Sequence, residues 1–314
     1  MTKFAFIFPG QGSQFIGMGK DLADAFPEAK AVFDEVDSAL GQDLSSLIWT
    51  GDEEQLKLTA NTQPALMAVS VAAMRALQSK GVGPEKAAFV AGHSLGEYSA
   101  LAASGAISVA DAARVLRIRG NAMQAAVPAG EGAMAALLGA DPDQAVAVCE
   151  LGAAEGGVCE IANDNAPGQI VISGSKAAVE LAASKVSEVG VKKAMMLPVS
   201  APFHCSMMQP AADAMMEALA GIEVKAPATA LVANVTAEPT TDPAAIRQQL
   251  IEQVTGQVRW RESVEFMVSQ GVDLFVEAGA GKVLTVMNRR TAKSVEGLTL
   301  GTPEEVESVA ERLG

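Results

Sequence analysis

The stretch Ala87-Ala-Phe-Val-Ala-Gly-His-Ser-Leu-Gly-Glu97 is a five-residue apolar run, a serine between two glycines, and an acidic residue opening an alanine-rich segment. Read in order, it is a buried strand, a tight turn and a helix. The turn fits G-x-S-x-G through Gly92, Ser94 and Gly96, and strand-then-helix is the setting in which that pattern carries chemistry. A serine on so sharp a turn sits in a strained backbone conformation, and side chains at 92 and 96 would crowd it, so glycine is required on both sides. The turn also aims the hydroxyl outward and sets the amides of the helix N-terminus beside it, where an oxyanion would gather. The competing reading is a glycine-rich turn whose serine only caps a helix.

A nucleophilic serine needs a base, and the chain holds two histidines. His93 adjoins Ser94, and neighbouring side chains on a sharp turn point apart, so His93 reads as packed support. His204 lies in Pro198-Val-Ser-Ala-Pro-Phe-His-Cys205, a proline-punctuated loop suited to reaching into a cleft, and is the base by elimination. No acidic third member stands out by spacing. The loop Gly10-Gln-Gly-Ser-Gln14 follows the first apolar strand and suits a second oxyanion donor, with Gln11 between two glycines. It fails as a phosphate loop: the third glycine of G-x-G-x-x-G would be Phe15, and the P-loop lysine after Gly17 would be Met18. Gly279-Ala-Gly-Lys282 fails too, with Val276 where the first glycine belongs. Arg114, Arg117 and Arg119 crowd one helix. A buried arginine among them would grip a carboxylate through its planar fork, but spacing does not choose which, and a solvated basic face is the alternative.

Outward from the elbow, Lys3-Phe-Ala-Phe-Ile-Phe8 is a strand ending at Pro9-Gly10. Helices are expected around 17–40, from Gln63 to Lys80 (Leu66, Val69, Ser70, Ala73 and Leu77 at helical steps) and from Ser108 to about Ala126. Residues 132–199 then read strand (to Ala140), helix (to Ala154), strand (Gly157–Ala162), strand (from Gln169), helix (from Lys176) and strand (from Val191), the βαββαβ order of a ferredoxin-like unit. Mixed α/β returns with a helix from Pro210, strand Ala230–Asn234, a helix from Pro243, strand Leu274–Glu277 and a final helix. The expected architecture is an α/β catalytic domain of residues 1–129 plus 201–314, interrupted by a small domain of 130–200. Clefts between such units favour ligands.

Composition narrows the function. The 314 residues are 49% hydrophobic, which excludes disorder, and carry 23 basic against 37 acidic side chains, a net −14 that argues against nucleic acid. Three cysteines without C-x-x-C spacing indicate neither a disulfide framework nor a zinc site, which fits a reducing cytoplasm. The opening apolar run is too short for a signal core or a membrane span of about 20 residues.

Together these motifs resemble the malonyl-CoA:acyl carrier protein transacylases of fatty acid synthesis and the related acyltransferase domains of polyketide synthases. The resemblance runs from Phe8-Pro-Gly-Gln-Gly-Ser-Gln14 through Gln63-Pro-Ala65, Gly92-His-Ser-Leu-Gly-Glu97, Arg119-Gly120 with Met123, Pro167-Gly-Gln169, Ser200-Ala-Pro-Phe-His204 and Val258-Arg-Trp260 to Glu277-Ala-Gly-Ala-Gly-Lys282. It implies an α/β-hydrolase-like core carrying a ferredoxin-like insert. It further implies Ser94 as nucleophile, His204 as base, and the amides of Gln11 and Leu95 as oxyanion donors. Arg119 would hold the malonyl carboxylate, with Gln63 and Phe203 in the substrate site, and the carbonyl of Arg259 would orient His204 in place of an acid. Asn163 and Asn165 match a loop near the site. The implied partners are malonyl-CoA and holo acyl carrier protein, with no cofactor, no metal, no membrane and a monomeric enzyme. Lys192, Lys193, Arg289 and Arg290 are candidate patches for these anionic partners. The alternatives are a polyketide acyltransferase, a serine esterase or thioesterase, and a non-catalytic carrier-binding subunit.

Overall fold

The computed structural model describes residues 2–199 and 201–314; Ser200 of the quoted motif lies outside them. The chain opens with β1 (Phe4–Phe8), buried throughout, then α1 (Lys20–Ala25), α2 (Pro27–Leu40), α3 (Leu44–Thr50), α4 (Glu53–Lys57) and α5 (Thr59–Ser79). The single helix expected over 17–40 is two, because Phe26 is extended and Pro27 starts α2 at a position whose N–H has no helical partner to lose. The short helices α3 and α4, capped by the Asp43 and Asp52 side chains, carry too few residues to show a period. The elbow follows as β2 (Phe89–Gly92) and α6 (Gly96–Ala103), and α7 (Val109–Ala125) starts where expected, the Ser108 hydroxyl accepting from the Asp111 amide.

Next come β3 (Gly132–Leu138), α8 (Pro142–Ala153), β4 (Cys159–Ala166), β5 (Gln169–Ser175), α9 (Lys176–Lys185) and β6 (Lys193–Met196). They form a separate antiparallel sheet of order β4-β5-β3-β6. β4 runs four residues past the expected Ala162, with register shifts at 161/163 and 164/166. This stretch is pinned to the segment around Val258, which donates to the Ala162 carbonyl at 2.8 Å and accepts from the Asp164 amide at 3.0 Å. The Asp164 carboxylate also takes Arg261 at 2.7 Å.

The remainder is α10 (Gln209–Ala220), β7 (Leu231–Val232), β8 (Pro239–Thr240), α11 (Pro243–Thr255), α12 (Trp260–Ser269), β9 (Leu274–Ala278), α13 (Val283–Thr291), β10 (Glu296–Leu300) and α14 (Pro303–Leu313). Where one final helix was expected, two flank β10, and α12 and β8 are additional. The larger sheet has order β10-β9-β1-β2-β7-β8, parallel except for β8. Both its faces are covered. Phe4, Phe6 and Phe8 of β1 point into one core with α2 and α5, whereas Ala5 and Ile7 point into the other with Trp260, Val264 and Met267. Each buried phenylalanine contributes about 1.5–3 kcal/mol. The loops after β1 and β2 therefore emerge together at the carboxyl edge of parallel strands, where open α/β sheets bind ligands.

Candidate active site

Ser94 occupies the elbow with φ of 53°, in the left-handed region. The glycines on either side are dictated by contact: a Cβ on Gly92 would lie 1.9 Å from the Gly96 backbone, and one on Gly96 would lie 2.2 Å from the Phe8 carbonyl. The Ser94 amide donates to Asn234 Oδ1 at 2.8 Å, and the Asn234 side chain returns a bond to the Gly92 carbonyl at 2.7 Å. The turn is thus clamped from behind, leaving Oγ toward the cavity.

His204, also left-handed at φ of 58°, sets Nε2 2.8 Å from Ser94 Oγ. Its Nδ1 lies 2.8 Å from the Gln253 carbonyl. A carbonyl only accepts, so Nδ1 carries the proton and Nε2 presents its lone pair to the serine hydroxyl. This corrects the expectation for Arg259, whose carbonyl accepts from Ser263 at the start of α12 and whose side chain pairs with Glu262. The orienting carbonyl comes instead from the last turn of α11. Burial, and after it the Arg119 charge, hold the His204 pKa down at about 3, so the imidazole is a neutral acceptor at ordinary pH.

Arg119 is 1% exposed and sends Nη1 to Gln63 Oε1 at 3.0 Å and Nη2 to Gln253 Oε1 at 2.8 Å and Ser94 Oγ at 3.2 Å. Among the three clustered arginines the choice is plain: Arg114 is exposed against Asp111, and Arg117 bonds Asn61 and Gln42. The guanidinium of Arg119 is held by neutral amides, and its Nε is buried without a partner among the described residues. Its hydrogen-bond partners are all uncharged, the centroid of the Tyr98 ring lies 5.6 Å from Cζ, and the buried acid nearby is Glu97.

That cavity, about 710 Å³, is lined by Gln11, Gln63, Ser94, Leu95, Arg119, Phe203 and His204, among others. All the expected site residues except Arg259 therefore converge. His93 is half-buried at the cavity wall, with Nε2 2.8 Å from Asn165 Oδ1 and its ring tilted against Trp260, the packed, hydrogen-bonded position expected of it. Asn163 reaches the cavity wall. Lys192, Lys193, Arg289 and Arg290 are exposed and enter no ion pair among the described residues.

Sequence reasoning missed Gln253, Asn234 and Glu97 as a group. Gln253 Nε2 donates to Glu97 Oε2 at 2.8 Å and to the Ser94 carbonyl at 3.0 Å, and the Asn234 amide donates to the same Glu97 oxygen at 3.1 Å. Glu97 stood in the quoted motif as a helix-opening acid. Gln253 and Asn234 carry no local pattern, since they come from α11 and the loop after β7.

A neutral imidazole on a serine hydroxyl, amides at a helix start and a buried cation at the cavity wall together can take an acyl group bearing a carboxylate onto oxygen and pass it on. The comparisons agree. The model for the acyl transferase domain matches residues 5–309. The malonyl CoA-acyl carrier protein transacylase of Bacillus subtilis is 46% identical over 313 residues, all of this chain and 98% of the relative. The solved acyl-carrier-protein-S-malonyltransferase of Bartonella henselae is 54% identical with a TM-score of 0.97, covering 100% of both chains. A malonyl-transacylase solved in complex with its type II PKS acyl-carrier protein is 42% identical at a TM-score of 0.95, covering 99% of this chain and 100% of that one. On the elbow, the base, the buried arginine and a match across the whole chain, this protein belongs to the acyl transferase domain family.

Proposed function

We propose that the protein transfers the malonyl group from malonyl-CoA to the phosphopantetheine thiol of acyl carrier protein, by a ping-pong route through malonyl-Ser94, to supply fatty acid synthesis. The observation that carries this is Arg119, a buried cation 3.2 Å from the Ser94 hydroxyl whose fork is braced by the neutral amides of Gln63 and Gln253. His204 takes the hydroxyl proton as Oγ attacks the thioester carbonyl, and the oxyanion sits against the amides of Gln11 and Leu95. The intermediate collapses, the C–S bond breaks, and CoA leaves as its thiol with the proton from His204. In the second half the carrier thiol gives its proton to His204 and attacks the ester, and Ser94 recovers its hydrogen. Gln63 braces the Arg119 fork, and Phe203 and Met123 supply apolar wall. The chemistry draws on side chains and main-chain amides alone, with no cofactor or metal.

The finer architecture we assign is an α/β-hydrolase-like catalytic domain, 1–129 and 201–314, carrying a ferredoxin-like small domain, 130–200. The parallel order of the large sheet and the βαββαβ order of the small one support it. We take the enzyme as a cytoplasmic monomer. Three buried free thiols fit that compartment, and no helix among the described residues is long and apolar enough to cross a membrane. The type II PKS complex of one relative makes polyketide supply the second reading.

The test is intact-protein mass measurement. Malonyl-CoA should leave one malonyl group on Ser94 that persists in buffer and disappears when holo carrier protein is added, with malonyl-carrier formed in equal amount. A thioesterase would lose the adduct to water without carrier, and a non-catalytic subunit would form none.

A further inference from the structure

We infer that Glu97 is a positioning residue that sets how tightly the malonyl group is held, acting on Arg119 and His204 through Gln253. This rests on the reading of Arg119 as the malonyl carboxylate's partner. Glu97 is buried behind the elbow, with Oε2 accepting from Gln253 Nε2 and the Asn234 amide while Oε1 has no partner among the described residues. An ionised carboxylate only accepts, so it compels Gln253 to turn its NH2 inward and its amide oxygen toward Arg119. The carbonyl of the same Gln253 fixes Nδ1 of His204. One residue therefore relays between a buried anion, the base and the buried cation.

A malonyl carboxylate on Arg119 would be a second anion sharing that cation. Ionised Glu97 opposes its arrival, and protonated Glu97 does not. The titratable groups facing Glu97 are Arg119 on α7, its neighbour Tyr98 on α6 and, across Gln253, His204 with His93 beyond it. Between pH 5.5 and 9 Arg119 keeps its charge, and burial lifts the Tyr98 hydroxyl further above its ordinary value. His204 stays neutral with a pKa near 3, and burial holds His93 below the usual imidazole range. Glu97, raised by burial to about 7, is the group that changes charge in that window.

The experiment measures KM and kcat for malonyl-CoA and acetyl-CoA from pH 5.5 to 8.5 in the wild type and Glu97→Gln. In the wild type the malonyl KM should rise about twentyfold across the range, the scale for unit charges roughly 8–10 Å apart at an effective dielectric near 20, while the acetyl KM stays level. Glu97→Gln should hold the low malonyl KM at every pH. A variant that keeps the wild-type pH dependence, or that shifts malonyl and acetyl values equally, overturns the proposal. Should Glu97→Gln fail to fold, Ser94→Ala protein is titrated at pH 7 in two buffers of different ionisation enthalpy. Malonyl-CoA should take up about half a proton more than acetyl-CoA, since the phosphates of CoA titrate equally in both; an equal proton balance overturns the proposal. Arg119→Ala separates the two readings. If malonyl preference survives it, the Arg119 assignment fails; if preference is lost while Glu97→Gln behaves as wild type, only the role of Glu97 fails.

Discussion

Replacing Arg119 by alanine should change which acyl group is transferred more than whether one is. The guanidinium is 1% exposed and within 3.2 Å of the nucleophile, so a malonyl carboxylate paired with it is removed from water along with its partner. Taking away one member of a buried ion pair costs about 3–5 kcal/mol, because the other charge is stranded. At 1.36 kcal/mol per tenfold, kcat/KM for malonyl-CoA should fall by about two to three and a half orders of magnitude. Acetyl-CoA brings no carboxylate, and in the intact enzyme its methyl group leaves the Arg119 charge unpaired. Its transfer should hold or rise in the variant. The assay is the initial rate of transfer from each donor to holo carrier protein, at matched folded concentration, since alanine also strands the oxygens of Gln63 and Gln253. Arg119→Lys, a charge without a fork, should fall between the two. Malonyl and acetyl rates that drop by the same factor would refute the reasoning and reduce Arg119 to a packing residue.

Gly92→Ala places a carbon 1.9 Å from the Gly96 backbone, so thermal melting should show a loss of about 3 kcal/mol or more; Gly12→Ala, with open space at φ of 102°, should lose only about 1 kcal/mol. Glu97 is raised from 4.5 to about 7 in the folded state; its favourable contribution is complete below pH 4.5 and lost as pH rises through 7. Urea midpoints should accordingly show Glu97→Gln gaining about 3 kcal/mol over the wild type between pH 4 and pH 8, and an equal offset at both pH values would contradict the burial argument. With His204 held near pKa 3, Ser94 labelling by malonyl-CoA should show no acid limb at the ordinary imidazole value of about 6.5; an inflection there that follows the His204 resonance in NMR would show the imidazole to be less buried than its surroundings indicate.

What was legible in the sequence was whatever is local. The elbow could be read because its steric demands fall on residues two apart, and Ser108 and the strand Phe4–Phe8 declare themselves within a turn or a run. The pair Ser94 and His204 came from scarcity, two histidines and one excluded by adjacency. The orienting carbonyl was misplaced at Arg259 because a main-chain acceptor has no residue type to betray it: any side chain at position 253 would offer the same oxygen, and only the path of α11 brings it to Nδ1. Glu97 was visible and its partners were not, since Asn234 and Gln253 lie 137 and 156 residues away along the chain. The extension of β4 was hidden for a related reason. Asn163, Asp164 and Asn165 are poor strand formers and are held extended by Val258 and Arg261 from another part of the fold.

Two features of the site that look separate have one cause. The His204 imidazole is kept neutral first by burial and next by the Arg119 charge, and the guanidinium of Arg119 is held by neutral amides in the same dry wall. A cation that depresses the base is a cost to general-base catalysis so long as it stands alone. Under the proposed function, a malonyl carboxylate seated on Arg119 cancels the field at His204, so the base strengthens when the right acyl group is in place and stays weak when acetyl occupies the cavity. Selectivity then operates on the chemical step as well as on binding, which a site discriminating by fit alone does not provide. The same logic accounts for a chain of net charge −14 serving anionic substrates. Screening over about 8–10 Å hides the distant carboxylates, and the charge that decides the outcome is the one buried beside the serine.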